Sequence, residues 1–168
     1  QADTSISSFN FSRDVFYKKS WDSLNVHARG LFINTNTNEI VARAYEKFFN
    51  VGERPETQPD VLMQTLHFPV KAWVKENGYL GLVGYDREQD SLVFASKSSL
   101  SSEFAGWLRE QFDTLAPVDS LKRTAIVDYL KADSGKTLVF EVIEPTNDPH
   151  IIFYDKPKLV LLDIVKNI

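Results

Sequence analysis

Cysteine is absent from the 168 residues. Its absence excludes disulfides, thiolate nucleophiles and cysteine-ligated zinc. The three histidines, His27, His67 and His150, are far apart and do not have the spacing of a metal site. No apolar run is long enough to cross a membrane, and no signal peptide is recognisable. We therefore expect an intracellular, cytoplasmic protein that makes no contact with a membrane.

An excess of positive charge is also lacking. Acidic residues (23) outnumber lysine and arginine (19), and the formal net charge is −4. Proteins that hold nucleic acid by charge alone are usually basic, so any such role must depend on a local patch. The hydrophobic share of 43% suits one compact domain with a core. The chain begins with Gln1 rather than Met, which predicts a piece of a longer protein.

Alternating apolar residues and turn residues predict a protein made mostly of strands. Residues 1–12 are Ser-rich and predict either a frayed segment or an arm on the surface. A helix is predicted to start at Ser101 or Ser102, and another across residues 120–132. Strands joined by hairpin turns and two consecutive helices indicate α+β with mostly antiparallel sheets flanked by helices. The predicted strands are 30–34, 39–45, 70–75, 79–85, 91–96, 137–143, 150–154 and 159–165.

The segment Lys75-Glu76-Asn77-Gly78 has two interpretations. Asn-Gly is a strong hairpin signal, which would make Lys75 an ordinary lysine at the end of a strand. Alternatively, the Lys75 amine is a nucleophile and Gly78 lets a ligand approach the backbone. The segment alone does not decide between them.

Several blocks along the chain occur together in one known family. The blocks are RGLFI (29–33), ARAYEKFFNVGE (42–53), VKENG (74–78), SKSSLSSE (96–103), FEVIEPTN (140–147) and LVLLDI (159–164). In this order and with these sequences, the chain resembles the phage-type ATP-dependent RNA ligases and the adenylyltransferase domains of tRNA ligases. The resemblance implies a nucleotidyltransferase (ATP-grasp-like) ligase core, here truncated. It implies an N-terminal arm and lead-in over residues 1–28 and a partial adenylyltransferase domain over 29–168.

The resemblance also implies a reaction. Lys75 would attack the α-phosphate of ATP to give lysyl-AMP, AMP would pass to a 5′-phosphate RNA end, and a 3′-hydroxyl would displace it. A free lysine amine is protonated at neutral pH, and burial, nearby cations or a metal favour its neutral form. Implied cofactors are ATP and Mg²⁺ or Mn²⁺. Implied partners are RNA ends, with tRNA a candidate, and fused kinase or phosphoesterase domains in the longer protein.

The remaining site residues follow from the same resemblance, each beside a plainer interpretation. Arg29, Lys47 and Lys97 would contact the phosphates of ATP, but they could equally be surface cations. Phe49 would belong to the nucleotide pocket, and Phe48 is expected in the core. Gly78 would make room for the nucleotide. No dedicated metal ligands are predicted.

Glu141 stands inside an otherwise apolar predicted strand. A buried carboxylate without a partner is costly, so we expect a functional partner there. By resemblance, that partner is the ribose hydroxyls of ATP or a metal. Lys75 and Glu141 are therefore the predicted catalytic residues.

The chain departs from the family in two motifs. It contains no Glu-Gly dipeptide, and Lys156-Pro157-Lys158 is interpreted as a turn rather than as the family's Lys-x-Lys strand. We therefore expect the isolated chain to adenylylate itself weakly or not at all. The alternative function is a non-catalytic module that binds nucleotides or RNA ends. DNA ligation or RNA capping shares the lysine chemistry but lacks the EKFFN block.

Overall fold

The computed structural model describes residues 5–132 and 135–167, which form two antiparallel sheets and four α-helices. The small sheet has the order β1-β2-β3, and the large sheet has the order β5-β4-β6-β7. This confirms the predicted α+β class. The strands are β1 (Ile6–Phe9), β2 (Leu31–Asn34), β3 (Glu39–Arg43), β4 (Tyr79–Asp86), β5 (Ser91–Ser96), β6 (Lys136–Ile143) and β7 (Lys158–Lys166), and the helices are α1 (Arg13–Lys18), α2 (Pro59–Thr65), α3 (Glu103–Leu115) and α4 (Leu121–Lys131).

The two predicted helices form where their capping serines indicate. The Ser102 hydroxyl accepts a hydrogen bond from the Ala105 amide at 3.3 Å and begins α3. The Ser120 hydroxyl accepts one from the Arg123 amide at 3.1 Å and begins α4. Side-chain oxygens at this position satisfy amides that lack a partner inside the helix. Both predictions are confirmed.

The large sheet lies in the middle of the molecule and is covered on both faces. Successive side chains of a strand point to opposite faces, so each strand contributes to two cores. Phe94 and Phe140 pack with the fully buried Phe112 of α3. Leu82 and Val139 pack with Phe32 of the small sheet. The layers are therefore small sheet, large sheet and helices.

Buried polar groups fasten the small sheet to the large one. The Thr137 hydroxyl of β6 accepts a hydrogen bond from the Arg43 amide at 3.0 Å. The same hydroxyl donates to Asn167 Oδ1 at 2.8 Å, and the Asn167 amide donates to the Ile40 carbonyl at 2.9 Å. These bonds fix β3 across the end of β6, and the chain that follows β3 therefore lies beside the large sheet.

Two predicted strands are wrong. Residues 70–75 and 150–154 are not in a strand, and Trp73 and Phe153 are 85% and 83% exposed. The reason is the order of the large sheet, because β4 is already paired on both sides by β5 and β6, and β6 by β4 and β7. Residues 70–75 therefore find no free edge on β4, the strand that follows them, and residues 150–154 find none on β6, the strand that precedes them. Asn77-Gly78 is therefore not a hairpin turn.

The N-terminal segment is more ordered than its composition suggests. Ile6–Phe9 pairs with β2, which excludes a frayed segment for these residues. The sequence did not predict α1 or α2, each of which is short. Among the described residues, no helix is both long and apolar enough to cross a membrane.

Candidate active site

A cleft of about 200 Å³ brings together three cations that are distant in sequence. Arg29, Lys47 and Lys97 all line it. Arg29 and Lys97 form no salt bridge within residues 5–132 and 135–167, whereas Lys47 Nζ lies 3.9 Å from Glu53 Oε1. Cations that face one cleft with little neutralisation form a site for an anion. Its other lining residues are Phe11, Phe16, Phe48 and Asn50.

The backbone around Gly30 places Arg29 beside the end of β5. Gly30 has a φ of +61°, and a Cβ there would lie 2.9 Å from the Ala44 Cβ. It would also lie 3.5 Å from the Lys97 carbonyl oxygen, so the chains that carry Arg29 and Lys97 pass close to each other. Burial lowers the pKa of the Arg29 guanidinium from its ordinary value, although the group stays charged.

Lys47 reaches the cleft from the extended segment that follows β3. Its amide donates a hydrogen bond to the Val26 carbonyl at 2.8 Å, which fixes this part of the chain. Its Nζ lies 4.1 Å from the centroid of the Phe49 ring and 5.7 Å from that of Trp21. The aromatic rings position the amine by cation–π attraction.

The two phenylalanines of EKFFN, Phe48 and Phe49, lie in different environments. Phe48 is 66% exposed and lines the cleft, so its predicted place in the core is wrong. Phe49 is half-buried, packs edge-on against Trp21 at 5.5 Å and lies beneath Arg54 at 4.9 Å. The extended backbone puts neighbouring side chains on opposite sides, so only one of the pair can pack inwards. The role of Phe49 in a nucleotide pocket stays a prediction.

Glu141 is half-buried on the face of β6 that points towards the small sheet. Its Oε1 accepts a hydrogen bond from the Gly78 amide at 2.8 Å. The partner that the sequence argument required is therefore present in the protein itself. A role towards ribose or a metal stays a prediction.

Gly78 is required by the protein backbone. A Cβ at this position would lie 2.1 Å from the Val142 carbonyl oxygen of β6, closer than any real side chain approaches. Glycine therefore allows the chain to enter β4 against β6 and to bond Glu141. The expected approach of a nucleotide at Gly78 stays a prediction.

The pairing of residues on neighbouring strands of the large sheet gives the position of Glu141 relative to Lys97 of the cation cleft. Ser96 pairs with Gly81, and Leu80 pairs with Glu141. Lys97, which follows Ser96, therefore stands level with Leu80 and Glu141. Neighbouring strands are about 4.8 Å apart, so the backbones at Lys97 and Glu141 are separated by about 10 Å.

Tyr45 and Asp163 were not predicted and lie close to Glu141. Burial raises the pKa of the Tyr45 phenol, and the negative charges of Asp163 and Glu141 raise it further. Asp163 pairs with Val139 across β6 and β7, on the same side of the sheet as Glu141. A signal in the sequence was the single carboxylate in the otherwise apolar block LVLLDI.

Lys75 lies outside these contacts. The side chain is exposed, and its Nζ lies 3.4 Å from the Glu76 carbonyl oxygen. The partial burial expected for Lys75 is therefore not observed. Three residues span at most about 11 Å, so the Cα of Lys75 stays within that distance of Gly78.

The residues just after Lys75 are fastened to the end of the large sheet. Glu76 accepts hydrogen bonds from the Tyr154 hydroxyl at 2.9 Å and from Lys158 Nζ at 3.1 Å. The Asn77 amide donates to the same Tyr154 oxygen at 2.9 Å. Lys158 begins β7, whereas Lys156 and Pro157 precede it in the predicted turn. Tyr154 and Lys158 were missed because their partner lies some 80 residues away in sequence.

The carboxylates of Glu141 and Asp163 would supply only some of the ligands that a divalent metal needs. Within the described parts of the chain, no cluster of three or more His, Asp or Glu could hold a metal ion. Mg²⁺ in nucleotide sites usually takes one or two carboxylates together with substrate phosphates. Glu141 and Asp163 would fit that share, and the bound metal would neutralise phosphate charge.

Several known proteins are similar to this chain in sequence. A family model described as RNA ligase matches residues 27–168. The chain is 28% identical over 84% of its length to a tRNA ligase of Candida albicans, and 30% identical over 82% to tRNA ligase 1 of Schizosaccharomyces pombe. It is also 28% identical over 80% of its length to RNA ligase 1 of bacteriophage TS2126.

The chain spans about a fifth of each fungal relative and a third of the phage relative. The family match covers all of the large sheet and all three cations of the cleft. This chain belongs to the RNA ligase family.

Proposed function

We propose that this chain carries the nucleotide-transfer site of an ATP-dependent RNA ligase. The observation that supports it best is the meeting of Arg29, Lys47 and Lys97 in one cleft. The backbone of Lys97 lies about 10 Å across the sheet from that of Glu141. A triphosphate held by the three cations would point its α-phosphate towards Lys75. Phosphoryl transfer depends mostly on such positioning and charge stabilisation.

The proposed reaction has three balanced steps. The Lys75 amine attacks the α-phosphorus of ATP, a P–N bond forms, the bond to the β-phosphate breaks, and pyrophosphate leaves while Nζ loses a proton. An oxygen of the RNA 5′-phosphate then attacks the same phosphorus, and Nζ leaves and regains a proton. Finally an RNA 3′-hydroxyl loses its proton and attacks the phosphorus of the 5′-phosphate, the P–O bond to AMP breaks, and AMP leaves as the RNA bond forms.

Each proposed site residue has a role in the first step of the reaction. Arg29, Lys47 and Lys97 bind the β- and γ-phosphates, which makes pyrophosphate a better leaving group. Glu141, held by the Gly78 amide, faces the ribose hydroxyls or a metal. Lys75 would supply the attacking amine, because its side chain is exposed and the neighbouring Glu76 is held at the end of the large sheet by Tyr154 and Lys158.

The test is label transfer from ATP labelled at the α-phosphate. We expect a longer protein that contains this chain to become labelled with Mg²⁺ present, and Lys75→Ala to abolish the label. The 168-residue chain alone is expected to be labelled weakly. Lys71→Ala, an exposed lysine in the same segment, is the matched control and should keep the label.

Three outcomes separate the alternatives. Label that persists in Lys75→Ala would disprove the nucleophile. Strong labelling of the 168-residue chain would disprove its expected weakness. A longer protein that binds ATP and RNA but never becomes labelled would support the non-catalytic binding module instead.

A further inference from the structure

The chain enters the folded body of the protein immediately after Lys75. Residues 63–75 are all exposed, whereas residues 76–80 are half-buried and residues 81–86 are buried. Because consecutive Cα atoms are about 3.8 Å apart, the position of Glu76 limits the position of the Lys75 backbone. The contacts of Glu76 therefore determine where the Lys75 side chain begins.

Glu76 is held by one residue that precedes β7 and by the first residue of β7. Its Oε2 accepts a hydrogen bond from the Tyr154 hydroxyl at 2.9 Å, and its Oε1 accepts one from Lys158 Nζ at 3.1 Å. Lys158 Nζ also lies 5.1 Å from the centroid of the Tyr154 ring. Hydrogen bonds to charged groups are shorter and stronger than neutral ones. We call Glu76, Tyr154 and Lys158 the clamp, because each carboxylate oxygen has its own donor and the side chain is thereby oriented.

The clamp also fixes the backbone that follows Glu76. The Tyr154 oxygen accepts a hydrogen bond from the Asn77 amide at 2.9 Å, and the next amide, that of Gly78, donates to Glu141 at 2.8 Å. The Tyr154 hydroxyl thus donates to a side chain and accepts from the backbone of the same short segment. Replacing it by phenylalanine removes both bonds and keeps the ring.

The far end of β4 carries a second cluster of the same chemistry. The Tyr85 hydroxyl donates a hydrogen bond to Asp90, and Lys131 Nζ lies 2.8 Å from the same carboxylate and 4.9 Å from the centroid of the Tyr85 ring. About 20 Å of strand separates the two clusters. Loss of stability would be common to both clusters, whereas an effect on the chemistry of Lys75 would be confined to the clamp.

The first step of the proposed reaction requires a narrow range of positions for Lys75 Nζ. The attacking amine and the leaving pyrophosphate stand in line on opposite sides of the α-phosphorus. Reacting atoms must come within about 3–3.5 Å, and a misplacement of about 1 Å can slow a reaction about a hundredfold. An amine on an exposed segment meets this requirement more often when the adjoining backbone is fixed.

We propose that Tyr154 and Lys158 are positioning residues for the attack of Lys75 on ATP, and that they act through Glu76 and the Asn77 amide. The connection between β6 and β7 thereby contributes to the rate of lysyl-AMP formation through the backbone next to the nucleophile and not through the nucleotide. This inference rests on the proposed function, because it concerns one step of that reaction.

The experiment measures single-turnover label transfer from ATP labelled at the α-phosphate to a longer protein that contains this chain, with Mg²⁺ and over a range of ATP concentrations. Tyr154→Phe and Lys158→Met should each lower the rate at saturating ATP about tenfold. The ATP concentration that gives half of this rate should stay unchanged, because the phosphate-binding cations are intact. Lys158→Arg, which keeps a cation beside Glu76, should restore most of the rate.

The second cluster supplies matched controls. Tyr85→Phe and Lys131→Met remove the same groups at the other end of β4, and both should keep the wild-type rate. Glu76→Gln combined with Lys158→Met should be no slower than the slower single variant, because the two residues form one contact. Circular dichroism at the assay temperature verifies that every variant is folded.

Hydrogen exchange reports the clamp without any transfer of AMP. In the 168-residue chain, the Asn77 amide should be protected, and it should lose this protection in Tyr154→Phe but not in Tyr85→Phe. An Asn77 amide that exchanges equally fast in the wild type and in Tyr154→Phe would disprove the contact.

Three kinetic results would overturn the positioning role. These are wild-type rates in Tyr154→Phe and Lys158→Met, a change confined to the ATP concentration at half of the maximal rate, or equal losses in Tyr85→Phe and Lys131→Met. Each of them leaves the proposed function intact as long as Lys75→Ala abolishes the label. Label that persists in Lys75→Ala would instead disprove the proposed function, and the kinetic role of the clamp with it.

Discussion

Gly78 and Gly106 differ in the space that is available for a side chain. A Cβ on Gly78 would strike the Val142 carbonyl at 2.1 Å, whereas a Cβ on Gly106 would have no atom within 4 Å. Gly78 is therefore part of the site, because the close approach to β6 also puts its amide within reach of Glu141. Gly106 lies inside α3, where glycine is a poor helix former.

Alanine at these two positions should change stability in opposite directions. Gly78→Ala should lower the free energy of unfolding by about 1–3 kcal/mol because β4 must shift away from β6. Gly106→Ala should raise it by about 0.5–1 kcal/mol because alanine restricts the unfolded chain and favours helix. Urea unfolding followed by circular dichroism measures both, and an unchanged midpoint for Gly78→Ala would contradict the close contact.

At the scale of elements, the segment 76–78 connects Lys75 to the large sheet. Glu76 is fastened by Tyr154 and Lys158, and Gly78 by Glu141. The hydrogen bond from Lys158 holds the pKa of the Glu76 carboxyl below its ordinary 4.5, with a smaller effect from Tyr154. Because the pKa is lower in the folded state, these bonds stabilise the fold above about pH 4.5 and are lost as the pH falls below it.

Glu76→Gln should therefore make stability less sensitive to acid. As the pH falls below about 4.5, we expect the free energy of unfolding to decrease more steeply for the wild type than for the variant. Lys158→Met, which removes the main cause of the shift, should have a similar effect on the slope. Urea unfolding across a pH series checks this, and identical slopes for wild type and Glu76→Gln would contradict it.

At the scale of the whole molecule, binding of an anion has to overcome an unfavourable net charge of −4. The fold compensates for the negative net charge by bringing Arg29, Lys47 and Lys97 together in one cleft. The remaining charge is spread over the surface, where salt screens it. Binding of the RNA end should therefore depend on a few phosphate contacts rather than on the overall field.

The salt dependence of RNA binding tests this local patch. Each neutralised phosphate of a single strand contributes a slope of about −0.7, so three cations that each neutralise one phosphate predict about −2 in log affinity against log salt. Lys97→Ala should reduce the size of the slope by about 0.7, whereas Lys122→Ala, an exposed lysine of α4, should not. Equal changes in both variants would indicate that general charge, and not the cleft, attracts RNA.

The sequence alone determined features that depend on neighbours along the chain. Ser102 and Ser120 cap α3 and α4 because the hydroxyl and the amides it satisfies are three residues apart. The hairpins β2–β3 and β4–β5 follow from alternating strands and turn residues. The blocks from Arg29 to Ile164 likewise identified the family, because motif residues and their order are properties of the chain itself.

Only the tertiary structure decided features that depend on distant neighbours. Residues 70–75 have the composition of a strand, but both edges of β4 are occupied, so this segment stays exposed with Lys75 in it. Phe48 and Phe49 are equivalent in sequence, and only the position of Trp21 and Arg54 made Phe49 pack inwards. Arg29, Lys47 and Lys97 were predicted one by one. Their meeting in one cleft depends on how the two sheets pack together, because contact energies between remote segments are not encoded in local patterns.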